Sequence, residues 1–191
     1  LSNASEQGRF IWAAQEWVNT LVVGMNLCPF AKRELVQSRV RFAVTEAATE
    51  EALLMALQDE LELLASDAKI ETTLLIHPYA LPDFLAYNQF LDLADSLLAQ
   101  LEVEGLYQVA SFHPDYQFGG TAADDAENYT NRSPFPMLHL LREESLERAI
   151  ADYPDVDQIP ERNIRLMNSI GADKLKALLQ ACTENPGHKD G

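Results

Sequence analysis

The sequence predicts an α/β (or α+β) domain in which a mixed, mostly parallel sheet of about four strands is flanked by helices, with helices at both ends of the chain. Three observations carry that expectation. Short apolar runs alternate with longer stretches of helical periodicity. The helical stretches between the first three runs are long enough to serve as crossover connections, which would make those strands parallel neighbours. Finally, 191 residues, 47% of them hydrophobic, are enough to bury one sizeable core, so a single domain over 1–191 is expected, with a flexible start at 1–8 and a flexible tail at 184–191.

Each element has a local reason. Phe10, Ala14, Trp17, Val18, Leu21, Val22 and Met25 recur at helical spacing and predict an opening amphipathic helix that ends near Gly24. Cys28-Pro29 then starts a short second helix, because proline is tolerated at the first helical position. From Arg39 to Thr45, Val40, Phe42 and Val44 alternate with polar or small neighbours, the period of a strand. Thr49 can cap a long helix through Ala65 whose buried stripe is Leu53, Leu57, Leu61 and Leu64. Thr72 to Ile76 reads as a buried strand, Pro82 to Leu101 as a helix and Leu106 to Phe112 as the next strand. A long stretch from Pro114 to Pro136, rich in Asp, Asn, Gly, Tyr and Pro, precedes a last strand at Met137 to Leu141. Loops this long inside a small domain are often functional. Helices around Glu144 to Ala151, Pro160 to Ser169 and Ala172 to Cys182 close the chain.

Composition narrows the function classes. Lys and Arg total 14 against 30 Asp and Glu, a formal charge of −16 that repels phosphate backbones and anionic lipid, so neither nucleic acid nor a membrane surface is an expected partner. The acidity is spread along helical faces, as at Glu50, Glu51, Asp59, Glu60 and Glu62, and serves solubility. No apolar run approaches the roughly 18 residues of a membrane span. The start shows no basic segment followed by an apolar one, and Ser2-Asn3-Ala4 reads as a tag remnant. The two cysteines, Cys28 and Cys182, make no disulfide-rich spacing. A cytoplasmic protein is the consistent expectation. Two glycosylation sequons, at Asn128 and Asn131, carry no weight without an export signal.

The residues able to do chemistry lie at strand ends and in the long loop. His77-Pro78 and His113-Pro114 end two predicted strands, and His139 lies within the last one. Ligands of open α/β sheets bind in the crevice at the carboxyl ends of parallel strands, which makes His77 and His113 candidates for a strand-end pocket. Neutral imidazole is a metal ligand or a general base, and Asp115 with Asp124 and Asp125 could orient a histidine or complete the shell of a divalent metal. The competing structural reading is that each histidine hydrogen-bonds backbone at a strand end. Cys28 at a helix N-terminus, followed by Lys32 and Arg33, would be drawn toward thiolate, unless it is a small buried apolar residue. Asn131, Arg132 and Ser133 gather donors in a chain poor in cations, and Arg132 could clamp a small anionic ligand or pair with a loop carboxylate.

Three stretches carry a resemblance: Asn26-Leu27-Cys28-Pro29-Phe30-Ala31, Phe112-His113-Pro114-Asp115-Tyr116-Gln117-Phe118, and Asn131-Arg132-Ser133-Pro134-Phe135-Pro136-Met137-Leu138-His139-Leu140-Leu141-Arg142. With them the chain, from about Trp17 to Leu179, resembles a family of uncharacterised bacterial proteins catalogued as a domain of unknown function. The resemblance implies a single domain and supplies no activity, substrate or catalytic residue. Separately, Cys28-Pro29-Phe30 at a helix start is similar to the glutaredoxin and thioredoxin-like redox pattern, although Ala31 stands where the second cysteine would be.

The leading functional expectation is a small-molecule enzyme, a histidine-based or metal-assisted hydrolase or transferase. His77, His113, His139, Asp115 and Cys28 are its candidate catalytic residues, and Asn131, Arg132 and Ser133 its candidate substrate contacts. The alternatives are a thiol-dependent redox protein using Cys28 and a non-catalytic ligand-binding or interaction module.

Overall fold

The computed structural model describes the backbone of residues 2–184 and the side chains of residues 5–184, so all but the first residue of the expected tail at 184–191 lies outside the described residues. Helix α1 spans Ser2–Trp17 and takes in most of the expected flexible start. It continues without a break into a π-helix at Val18–Val23. The remaining elements are α2 (Ala31–Val36), β1 (Val40–Val44), α3 (Glu50–Ser66), β2 (Thr72–Ile76), α4 (Phe84–Gln100), β3 (Tyr107–Phe112), β4 (Met137–Arg142), α5 (Glu143–Ala151), α6 (Ile159–Ile170) and α7 (Ala172–Ala181), with short 3₁₀ turns at Ala126–Thr130 and Val156–Gln158. None of the described helices is long and apolar enough to cross a membrane.

Several elements follow from local chemistry. Thr49 caps α3 by accepting the Ala52 N–H at 3.2 Å, and Leu53, Leu57, Leu61 and Leu64 form its buried stripe. Asp83 caps α4 in the same way through Ala86. At the other end of α3 the Arg142 guanidinium donates to the Leu64, Asp67 and Ile70 carbonyls, satisfying acceptors that a helix end leaves open.

The four strands form one mixed sheet in the order β1-β2-β4-β3, so the architecture is α+β. The expected mostly parallel sheet is corrected here: only β1 and β2 pair in parallel, and β4 inserts between β2 and β3, antiparallel to both. The cause lies in the loop after β3, which returns the chain to the edge where β3 ended, so that β4 must run back along the sheet. Even so, β1, β2 and β3 all end at one edge, because two antiparallel steps restore the direction.

Period-two alternation gives the sheet two buried faces. Ala43, Leu75, Leu138 and Leu140 pack with α3 and α4 in one core. Phe42, Leu74, Ile76 and Met137 pack on the opposite face with Phe10, Ala14, Trp17 and Leu21 of α1 and the π-helix. A smaller apolar cluster joins Leu27, Tyr129, Met167 and Leu175 around the start of the long loop's 3₁₀ turn and helices α6 and α7.

Candidate functional site

His77 and His113 do come together at the carboxyl edge, one residue beyond β2 and β3. Tyr87 of α4 packs against both, with its ring stacked 5.8 Å from His77 and tilted at 5.0 Å from His113. Both histidines have 0% exposure, so what they share is a packed interior and not an open crevice. His77 Nδ1 donates to the Ala80 carbonyl at 3.1 Å, which leaves Nε2 unprotonated, buried and without a partner. Burial pushes the His77 pKa down to about 4, against the pull of the Ala80 carbonyl. In His113, Nε2 donates to the Leu81 carbonyl and Nδ1 accepts the Asp115 backbone N–H, and burial again lowers the pKa. It is therefore the main chain of Asp115 that orients His113, while the Asp115 side chain is exposed.

The loop residues are likewise tied to backbone. Asn131 Nδ2 donates to the Ser111 carbonyl at 3.1 Å, and its own carbonyl accepts the His113 N–H. The Ser133 hydroxyl donates to Phe135 and its N–H to the His113 carbonyl. Arg132 donates to the Tyr116 and Ala123 carbonyls and lies 4.6 Å above the Tyr129 ring. These bonds pin the 114–136 loop onto the end of β3. A concavity of about 460 Å³ runs between this loop and α7, with Asp115, Arg132, Asp173 and Lys176 on its walls.

The other two candidates lie elsewhere. His139 sits in β4 directly after Leu138, and alternation turns it to the face opposite His77 and His113. There it lines a cavity of about 240 Å³ under α1, the π-helix, α2 and α5, together with Cys28. The walls are Trp17, Val18, Val22, Leu74, Phe112, Leu141 and Leu146; the polar residues are Cys28, Thr72, His139, Arg142 and, at the rim, Glu34, Glu71 and Ser145. Thr72 and Val40 open their strands, so the cavity lies toward the amino ends of β1 and β2, and it reaches Phe112, the residue before His113, from the opposite face of the sheet.

The site's electrostatics follow from burial. His139 is half-buried, and loss of hydration lowers its pKa to about 4, which keeps the imidazole neutral. Cys28 precedes α2 instead of capping it: its carbonyl accepts the Ala31 N–H, so Pro29 occupies a turn and the helix begins at Ala31. Burial raises the Cys28 thiol pKa, outweighing the Phe30 and Ala31 N–H groups that lower it. The expected pull toward thiolate is thus reversed by desolvation. Outside the cavity, and adjoining it at Phe30, Glu34, Glu71, Ser145 and Ala149, a vestibule of about 620 Å³ adds Arg33, Arg39 and Arg148. Arg39 binds Glu71 and lies 3.5 Å from Glu34. Glu71 is 8% exposed and its Oε1 has no hydrogen-bond partner.

Thr72, Glu71, Arg39 and Trp17 are cavity and vestibule residues that sequence reasoning passed over. One signal was available: Thr72 shares its strand parity with Leu74 and Ile76, so a hydroxyl faces an otherwise apolar buried surface. Among the described residues, no group of three or more His, Cys, Asp or Glu side chains is placed to hold a metal ion. No curated protein and no solved structure matches the chain. A family model does: the chain belongs to the family described as a protein of unknown function, DUF1415, whose model matches residues 9–177 and so takes in every residue of the cavity.

Proposed function

We propose that this chain binds a small, mostly apolar organic molecule in the cavity between the sheet and α1, α2 and α5, and that His139, Thr72 and Cys28 are among the polar groups around it. The cavity itself carries the reading. Small-molecule sites are concave and apolar with a few placed polar groups, and this one joins Trp17, Leu74 and Phe112 walls to the His139 imidazole, the Thr72 and Ser145 hydroxyls, the Cys28 thiol and the Arg142 guanidinium. Its about 240 Å³ exceeds the roughly 150 Å³ that suffices to hold benzene in an apolar cavity, so a substituted ring fits. The π-helix that contributes Val18 and Val22 supports the same reading, since such turns are rare and concentrate at functional sites. His77, His113 and Asp115 have no contact with the ligand in this reading, and no step runs through a metal.

A second reading, general-base catalysis, rests on His139, whose imidazole is neutral and lines the cavity. Its low pKa makes it a weak base, so binding is the primary assignment.

The test is a thermal-shift panel of benzene, toluene, phenol and indole against the native chain and Ala149→Phe, which fills the cavity from α5. Fragments should raise the melting temperature of the native chain and leave the variant unmoved. Absence of binding, or binding that survives the filled cavity, would refute the reading.

A further inference from the structure

We infer that the molecule held in this cavity presents an O–H or N–H donor to Nδ1 of His139. The inference deepens the reading of the cavity as a small-molecule site and depends on it.

The argument is a count of protons. The Thr72 hydroxyl oxygen is 2.6 Å from the Leu140 carbonyl and 2.7 Å from His139 Nε2. A carbonyl only accepts, so the single hydroxyl proton goes to Leu140. The Thr72 oxygen then has lone pairs left for His139, and Nε2 must be the protonated nitrogen. In a neutral imidazole that leaves Nδ1 as a bare acceptor. No described residue donates to it, while the ring lines the cavity. Burial keeps the ring neutral at physiological pH, so Nδ1 remains an acceptor there.

The second unsatisfied group points to the same chemistry. Glu71 Oε1, at the cavity rim, is buried and also lacks a donor. His139 Nδ1 and Glu71 Oε1 therefore both accept hydrogen bonds, while Trp17, Ser145 and Arg142 bring the donors of the lining. A hydrocarbon or an ether leaves the two acceptors desolvated and unpaired, and a carboxylate or phosphate has no proton to give Nδ1 of His139. A phenol, an indole or an aromatic amine supplies what is missing and offers an apolar body to Trp17 and Phe112. The inner cavity thus favours a donor-bearing aromatic.

The decisive experiment titrates phenol, anisole and benzoate into the native chain and into His139→Leu by calorimetry. Phenol should bind the native chain about tenfold more tightly than anisole, the worth of one buried hydrogen bond, and benzoate, which has no proton to give Nδ1, should bind no more tightly than anisole. In His139→Leu the phenol preference should fall to within about twofold. Long-range ¹H–¹⁵N spectra of the native chain give a measurement that needs no variant. They should show His139 protonated at Nε2 and bare at Nδ1, with phenol moving the Nδ1 resonance. Anisole binding as tightly as phenol, a preference that survives His139→Leu, or an Nδ1–H tautomer overturns the inference and leaves the cavity reading standing. If none of the three aromatics binds, both fall together.

Discussion

The Tyr87 hydroxyl donates to the Met137 carbonyl at 2.7 Å while accepting the Phe112 N–H at 3.1 Å, so one side chain of α4 ties the end of β3 to the start of β4. Tyr87 is fully buried, and burial raises its pKa well above the ordinary phenol range, which keeps the donor proton in place. Tyr87→Phe preserves the ring packed against His77 and His113 but removes both bonds. A loss of about 1–3 kcal/mol is expected, because buried polar groups are left without this partner. It should be read as a lower urea midpoint with an unchanged slope; a midpoint equal to that of the native chain would show that the tie is not stabilising.

Acid should unfold the protein through its histidines. His77 and His139 each have a native pKa near 4 against 6.5 unfolded. The unfolded chain therefore binds more protons between those values, and the stability these groups contribute is present in full above about pH 6.5 and lost as pH falls toward 4. Each shift corresponds to something on the order of 3 kcal/mol. Urea unfolding followed from pH 7 to 4 should show a steep fall, and His77→Gln should shallow it by about one proton's worth. A flat profile over that window would contradict the burial argument.

Arg132 anchors a loop in this fold through the Tyr116 and Ala123 carbonyls and the Tyr129 ring. Arg132→Ala should loosen the 114–136 segment and speed limited proteolysis there, with Gly119-Gly120 as the exposed point of attack. Phenol affinity should stay unchanged, since Arg132 does not line the cavity. Sulfate protection against that cleavage would instead favour an anion-binding role at the concavity it shares with Lys176.

The parts of the fold that were legible are those decided within a few residues. Thr49 as a cap and the four leucines at positions 53, 57, 61 and 64 need only helical periodicity and a side-chain oxygen, and both are as expected. The partner of β4 is a different kind of fact. Met137, Leu138, Leu140 and Leu141 make it apolar on both faces, so its pattern does not say which way it faces or which strands flank it. That ambiguity is why His139 could be grouped with His77 and His113 in the sequence while standing on the other side of the sheet. The cavity was illegible for a related reason. It is a gap between α1, the π-helix, α2, α5 and all four strands, and no local stretch encodes a gap. Cys28 was singled out for the dipole of a helix that starts three residues later, and the burial that dominates its chemistry comes from distant elements.

Cys28 should behave as a slow thiol that a cavity ligand protects. Its thiol is held above the ordinary cysteine pKa by burial, so the reactive thiolate is scarce at neutral pH, and its approach is through the cavity it lines. Cys182 is also buried and raised in pKa, but it does not line that cavity, so it serves as an internal reference. Iodoacetamide at pH 7 should alkylate both residues more than about tenfold more slowly in the native chain than in urea, a factor set by thiolate fraction and access. Added phenol should slow Cys28 further and leave Cys182 unchanged, as followed by peptide mass spectrometry. A redox enzyme of the thioredoxin-like kind requires the opposite, a Cys28 that reacts fast in the folded protein and more slowly once unfolded. Rapid native labelling of Cys28 would therefore return the thiol to the centre of the function, and equal protection of both cysteines by phenol would show that the ligand acts on overall stability and not within this cavity.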